Sequence, residues 1–181
     1  QAFGSVKMEQ GDTLFVFADE LNYDGPTELA ILYANPGKKV RLINRDVKLE
    51  TDIFQYDMGI DLGYYEVGGV LTDKQNRLES LQGEYSPTTK DAVFSTGVVL
   101  TSPSENDTLM MYTDTLLYST ATHIAEIICP TEIVGKDGVI YSSAGIYNTD
   151  TGISDLYDRS TVKTSNGNTL TGDTLFYDRN K

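Results

Sequence analysis

The chain has no tryptophan, one cysteine, one histidine and five prolines in 181 residues, and each scarcity excludes something. A lone Cys129 makes no intramolecular disulfide and no multi-cysteine zinc site, and it leaves the redox compartment undecided. His123 and Cys129 would stand about 20 Å apart along one extended strand, too far for a catalytic dyad. Positive charge is also sparse. The 14 Lys and Arg stand against 27 Asp and Glu, and a net charge of −13 argues against holding nucleic acid or an anionic membrane through a general field. An anionic ligand would have to be held by apolar contact. No apolar run approaches the roughly 18 residues of a membrane-spanning helix. Gln1-Ala2-Phe3 does not open a signal peptide, although a removed one would leave no trace.

What the chain has is a repeat. Tyr23, Tyr56, Tyr85, Tyr118, Tyr147 and Tyr177 recur at intervals of 33, 29, 33, 29 and 30 residues. Seven places before each tyrosine stands an apolar residue: Val16, Leu49, Leu78, Met111, Ile140 and Leu170. Five places before stands a small one, Ala18, Thr51, Ser80, Thr113, Ser142 and Gly172, and the next position is Asp in units one, two, four and six. Units of this size cannot bury a hydrophobic face alone, so they stack into one continuous core. The repeat from about Thr13 to Asp178 leaves no room for a second core, and residues 1–181 read as a single domain.

Turn signals such as Asp24-Gly25-Pro26, Asn35-Pro36-Gly37 and Asn166-Gly167 separate short runs rich in Val, Ile, Thr, Tyr and Phe, which indicates an all-β fold. Thr27 to Ala34 has helical propensity but occupies a strand's place in the unit. Along an unbroken strand, the residue seven before a tyrosine would face away from it. A bend or bulge at the small residue and Asp must reset the alternation. Both apolar sets then face inward. Val16, Leu49, Leu78, Met111, Ile140 and Leu170 line one wall; Leu21, Phe54, Leu116 and Leu175, two before their tyrosines, line the other. Gly83 and Gly145 hold that second position in units three and five, implying a close approach of the walls or a space for something else. Segments such as Val40–Ile43, Gly69–Thr72, Gly97–Thr101, Thr131–Val134 and Ser160–Lys163 read as returning strands, giving an elongated folded sheet with two walls.

The phrases Ala18-Asp19-Glu20-Leu21-Asn22-Tyr23-Asp24 and Gly172-Asp173-Thr174-Leu175-Phe176-Tyr177-Asp178, with returning segments such as Thr96–Leu100, resemble the OstA family. That family includes the lipopolysaccharide-transport protein LptA and the periplasmic domain of LptD. The resemblance spans nearly the whole chain. It implies an open antiparallel β-jellyroll shaped as a folded trough of about six repeats of roughly 30 residues, located in the periplasm, with an apolar interior for the acyl chains of lipopolysaccharide and modules joined end to end. Units three and five depart from the pattern in lacking the Asp. Because the sequence stops at Lys181, before a sixth returning strand, a fragment of a longer protein is expected.

Other chemistries fit less well. Asp19, Asp52, Asp114 and Asp173 could suggest calcium, but the glycine-rich nonapeptides of calcium-binding β-rolls are missing, and aspartate at a bend accounts for them. The tyrosine ladder reads as a core or cross-strand stack before it reads as a sugar platform. Asp-Thr-Leu triplets at 12, 107, 114 and 173 are similar to an O-glycosylation acceptor of some Gram-negative lineages, and Asn106-Asp107-Thr108 matches the N-glycosylation sequon. The leading expectation is a non-enzymatic lipid carrier without cofactor or metal, binding lipopolysaccharide or a related glycolipid, other modules through edge strands, and copies of itself head to tail through Thr13–Tyr23 and Thr169–Tyr177. It binds no nucleic acid. A structural or adhesive β-scaffold is the main rival, and a carbohydrate-active β-helix enzyme the third reading.

Overall fold

The computed structural model describes residues 1–105 and 107–179. Their regular structure is entirely strand, and eighteen strands join in one antiparallel sheet. Six are long: β1 (Ala2–Gln10), β2 (Leu14–Asp24), β11 (Asp91–Pro103), β12 (Thr108–Ser119), β17 (Ile153–Thr164) and β18 (Thr169–Asp178). The remainder come as pairs, each pair matching one long strand: β3 (Leu29–Tyr33) with β4 (Val40–Asn44), β5 (Val47–Thr51) with β6 (Ile53–Asp57), β7 (Leu62–Tyr65) with β8 (Gly69–Asp73), β9 (Asn76–Ser80) with β10 (Gln82–Tyr85), β13 (Ile124–Ile127) with β14 (Thr131–Gly135), and β15 (Gly138–Ser142) with β16 (Ala144–Asn148).

Each long strand and each pair folds once, so the sheet makes two facing walls joined at a vertex. One wall runs through β4, β5, β8, β9, β14 and β15 with the matching halves of the long strands. The other runs through β3, β6, β7, β10, β13 and β16. We call them the aliphatic and the tyrosine wall. Among the described residues β1 pairs only with β2 and β18 only with β17, so the sheet stays open at both ends. The first edge is therefore β1 and not the Thr13–Tyr23 segment expected from the repeat. β1 lies before the first tyrosine unit and carries none of its signature, so the tyrosine spacing could not reveal it.

The bend lies where the sequence put it. In β1, β11 and β17 the register slips by a two-residue bulge, at Gly4-Ser5, Thr96-Gly97 and Asp158-Arg159. Asp19, Asp114 and Asp173 of the partner strands face those bulges. Asp158 and Arg159 take left-handed φ values of 59° and 57°, where non-glycine residues are uncommon. The small residues at the vertex have a second reason to be hydroxylic. Thr51, Ser80, Thr113 and Ser142 donate to the carbonyl two residues on, beyond the bend, at 3.2, 2.6, 3.3 and 3.0 Å. The returning strands predicted from Val, Ile and Thr content are found on the aliphatic wall, and Thr27–Ala34 contains strand β3.

Candidate functional site

Between the walls lies a single apolar core whose side chains are set out in rows by the pairing. On the aliphatic wall, Met8, Val16, Leu42, Leu49, Leu71, Leu78, Leu100, Met111, Ile133, Ile140, Val162 and Leu170 are successive cross-strand partners from one edge to the other. Leu21, Leu32, Phe54, Phe94, Leu116, Ile127, Leu156 and Leu175 face them from the tyrosine wall. Of the ten residues expected inside, Val16, Leu49, Phe54, Leu78, Met111, Leu116, Ile140 and Leu175 are buried and Leu21 is half-buried against them. Leu170 differs, at 62% exposed. It continues the aliphatic row, but β18 is the edge, and among the described residues no strand covers its outer flank.

The two glycines at the second position answer different needs. A Cβ on Gly83 would stand 2.5 Å from the Tyr65 ring, so this glycine yields its space to a side chain from the neighbouring strand. Gly145 has φ +155°, and a Cβ there would meet the Asp155 carbonyl oxygen at 2.6 Å; here the backbones themselves approach.

The repeated tyrosines form their own row. Its cross-strand order is Tyr23, Ala30, Tyr56, Gly63, Tyr85, Ala92, Tyr118, Ala125, Tyr147, Ser154, Tyr177. Every tyrosine is flanked by Ala, Gly or Ser, which leaves room for its ring. This row lies along the mouth of the trough, away from the vertex, and the phenolic groups reach the opposite rim. Tyr56 bonds Gln10 at 2.9 Å, Tyr85 accepts from Asn44 at 3.0 Å, Tyr118 donates to Asp73 at 2.8 Å, and Tyr147 donates to Ser102 at 3.2 Å. Tyr56 also bonds Asp61.

Further polar contacts reinforce the same seam. His123 on the tyrosine wall places Nδ1 2.8 Å from Asp73, which is almost wholly buried, and Asn76 donates to Thr149 at 3.0 Å. Arg179 sends Nη1 to the Ser102 carbonyl at 3.0 Å and Nη2 to the Thr149 carbonyl at 3.3 Å. Burial pushes the phenols up from their ordinary value: Tyr65 to about 12, and Tyr56, Tyr85, Tyr118 and Tyr147 also upward, with Asp61 and Asp73 adding to the rise at Tyr56 and Tyr118. The phenols stay neutral, suited to bridging as donors or, at Tyr85, as an acceptor, rather than to proton transfer near neutral pH.

His123 is thus a bridging residue, and Cys129 is held elsewhere, 3.1 Å from Thr113 Oγ1 at the vertex, so the two form no dyad. Asp19 accepts from Lys38 at 2.7 Å and from the Asn35 N–H at 2.9 Å, contacts that hold its carboxyl below the usual range. The tyrosine repeat carries no signal for the bridging partners Gln10, Asn44, Asp73, Ser102 and Arg179. The Leu of each Asp-Thr-Leu triplet is buried: Leu14, Leu109, Leu116 and Leu175. Asn106 of the sequon lies outside the described residues.

The seam thins toward β18. Tyr177 is only partly buried, and beside it Leu109, Ile133, Ile140 and Val162 line an apolar cavity of about 100 Å³. The interior therefore approaches solvent at the C-terminal end.

No curated protein matches the chain. Among solved structures it is similar to LptH of Pseudomonas aeruginosa, described as the LptA-homologous periplasmic component of a conserved lipopolysaccharide transport device. The two share 12% identity over 80% of this chain and 81% of that one, with a TM-score of 0.34, too loose a superposition to transfer geometry. The OstA-like protein family model matches residues 1–108, the stretch holding the first three tyrosine units and their returning strands. By that match over more than half its length, the chain belongs to the OstA-like family.

Proposed function

We propose that this chain is a non-enzymatic carrier or bridge module of lipopolysaccharide transport in the periplasm, holding acyl chains of lipopolysaccharide or a related glycolipid between its walls. The observation that carries this reading is the unbroken apolar row from Met8 to Leu170, one residue per strand, which no turn or charged side chain interrupts. Family membership points the same way. The unpaired edges β1 and β18 suit end-to-end addition of similar modules or of a second copy, because exposed edges template pairing.

Lipid must part walls that already touch. The mouth is joined by side-chain hydrogen bonds, each contributing about 0.5–1.5 kcal/mol net, more where a carboxylate takes part. A buried methylene contributes about 0.8 kcal/mol, so a handful of methylenes on one acyl chain offsets several bridges. Parting would start at the C-terminal end, where the cavity beside Tyr177 already reaches the core.

A photo-crosslinking residue at Val162, beside that cavity, tests this in Gram-negative cells. Ultraviolet light should join the protein to lipopolysaccharide, detected by immunoblot and by mass spectrometry of the adduct, while the same residue at outward-facing Val99 gives none. Equal labelling at both positions, or none at Val162, would leave the β-scaffold as the better reading.

A further inference from the structure

The two outer faces of the folded sheet carry different charge patterns. On the aliphatic wall, cations and carboxylates alternate along single strands and neutralise one another: Lys7 with Glu9 at 2.6 Å, Lys48 with Glu50 at 2.8 Å, Arg77 with Glu79 at 2.9 Å. The six short strands of the tyrosine wall, and the halves of the long strands that pair with them, contain no Lys or Arg. Across the outside of that wall, Glu84, Val93, Leu117, Glu126, Ile146 and Asp155 are successive cross-strand partners, so apolar and acidic side chains share one band. None of these three carboxylates has an ion-pair partner among the described residues. Phe3 and Phe176 stand on the same outer face at the two edges, 70% and 61% exposed.

Repetition alone does not produce this. Both walls belong to the same repeat, yet the three ion pairs formed along single strands all fall on the aliphatic wall. An outer sheet face that only met water would gain solubility from charge of either sign. This one places half-buried Leu117 and Ile146 beside unpaired carboxylates and excludes cations, so each apolar side chain has an acidic neighbour but no basic one. A partner that covered the band with apolar groups would also have to neutralise Glu84, Glu126 and Asp155, because burying an unpaired charge is strongly unfavourable. Anionic lipid and acidic protein are repelled.

We propose that the outer face of the tyrosine wall is a docking surface for a protein segment in which lysine or arginine alternates with apolar residues. The apolar side chains of the segment would seat against Val93, Leu117 and Ile146 while its cations pair with the three carboxylates. Opposite charges of this kind raise association rates and fix register. The surface lies on the opposite side of the wall from the apolar interior, so its occupancy does not require lipid.

The test uses the whole chain and a synthetic peptide alternating lysine with leucine, with a glutamate-for-lysine peptide as comparison, read by fluorescence anisotropy. The lysine peptide should bind and the glutamate peptide should not. Glu84→Lys with Glu126→Lys should weaken binding by roughly ten-fold or more, Glu84→Gln with Glu126→Gln by less, and a rise in salt should weaken it further as screening shortens. Lys48→Glu with Arg77→Glu on the aliphatic wall should leave it unchanged. All these side chains point outward, and circular dichroism establishes that each variant is folded. Binding that survives the reversal would assign the peptide to the open edges β1 and β18 and overturn the proposal. So would absence of peptide binding, or wild-type binding to phosphatidylcholine vesicles that the reversal leaves intact, which would make the band a membrane contact.

Discussion

Tyr118 on one wall donates its phenolic O–H to Asp73 Oδ2 on the other at 2.8 Å, and His123 Nδ1 meets the same oxygen at 2.8 Å. A buried carboxylate must be satisfied by donors, and here both come from the opposite wall. Tyr118→Phe removes one and keeps the ring. The expected loss is about 1–3 kcal/mol, the cost of leaving a buried acceptor short of a partner. Tyr147→Phe, which gives up a 3.2 Å bond to a neutral Ser102 hydroxyl, should cost about 0.5–1.5 kcal/mol. Urea midpoints for the two variants should fall in that order, and equal midpoints would deny Asp73 its special place in the seam.

High pH should open the trough. The phenols of Tyr56, Tyr65, Tyr85, Tyr118 and Tyr147 are raised above the ordinary 10.0 chiefly by burial. Above pH 10 the unfolded chain releases these protons while the folded chain keeps them, so the unfolded state binds fewer protons and stability falls as pH rises. Their contribution is fully present below pH 10 and is lost progressively through about 12, the value reached by Tyr65. Tyrosinate absorbance at these positions should appear together with loss of the β-sheet circular dichroism signal. Tyrosinate forming well before the sheet is lost would mean the phenols are already in water.

The repeat made the walls, the bend and most of the core legible, because an apolar residue seven before a tyrosine and another two before it can share an interior only if the strand reverses its alternation between them. The mouth was harder to read. Its polar side follows a pattern that tyrosine spacing does not display: two residues after the inward apolar residue of β1, β4, β8 and β11 stands a polar one, Met8 to Gln10, Leu42 to Asn44, Leu71 to Asp73 and Leu100 to Ser102, whereas Ile133 of β14 is followed by Gly135. These four differ in chemistry and lie about 45 residues from the tyrosines they meet, as with Gln10 and Tyr56. Local pairing carries no trace of such a contact. Leu170 and β1 escape the pattern for a related reason, since a repeat describes interior units and says little about the edge, where one neighbour is missing.

The glycines at the second position separate close packing from close backbone approach. Gly83→Ala sets a methyl group against the Tyr65 ring, and overpacking of this kind costs about 1–3 kcal/mol. Tyr65→Leu should return much of that loss, giving a favourable coupling in a double-mutant cycle. Gly145→Ala meets the Asp155 carbonyl, and its φ of +155° is strained for any side chain, so no side-chain truncation nearby should rescue it. Thermal unfolding of the four single and two double variants measures both, and a rescue of Gly145→Ala by Leu156→Ala would show that side-chain crowding rather than backbone approach dominates there.

Leu116 and Leu170 stand in the same repeat at equally apolar positions, and a charge should distinguish them. Leu116 has no exposed surface, with Phe94 and Ile127 as its cross-strand partners. An aspartate there has no cation to meet, and burying it unpaired exceeds the 5–15 kcal/mol by which a typical domain is stable, unless the carboxyl takes up a proton. Leu116→Asp should therefore be unfolded or insoluble at neutral pH and so cannot report on lipid binding. Leu170, on the open edge, gives its aspartate access to water, and Leu170→Asp should unfold within about 0.5 kcal/mol of the parent, as surface substitutions do. That makes it the variant with which to probe the C-terminal opening. If lipopolysaccharide enters beside β18, a folded Leu170→Asp protein should label more weakly through the Val162 crosslinker, because the new carboxylate faces the path of an acyl chain. Full labelling in a folded variant would move the point of admission to the other end of the trough, beside β1.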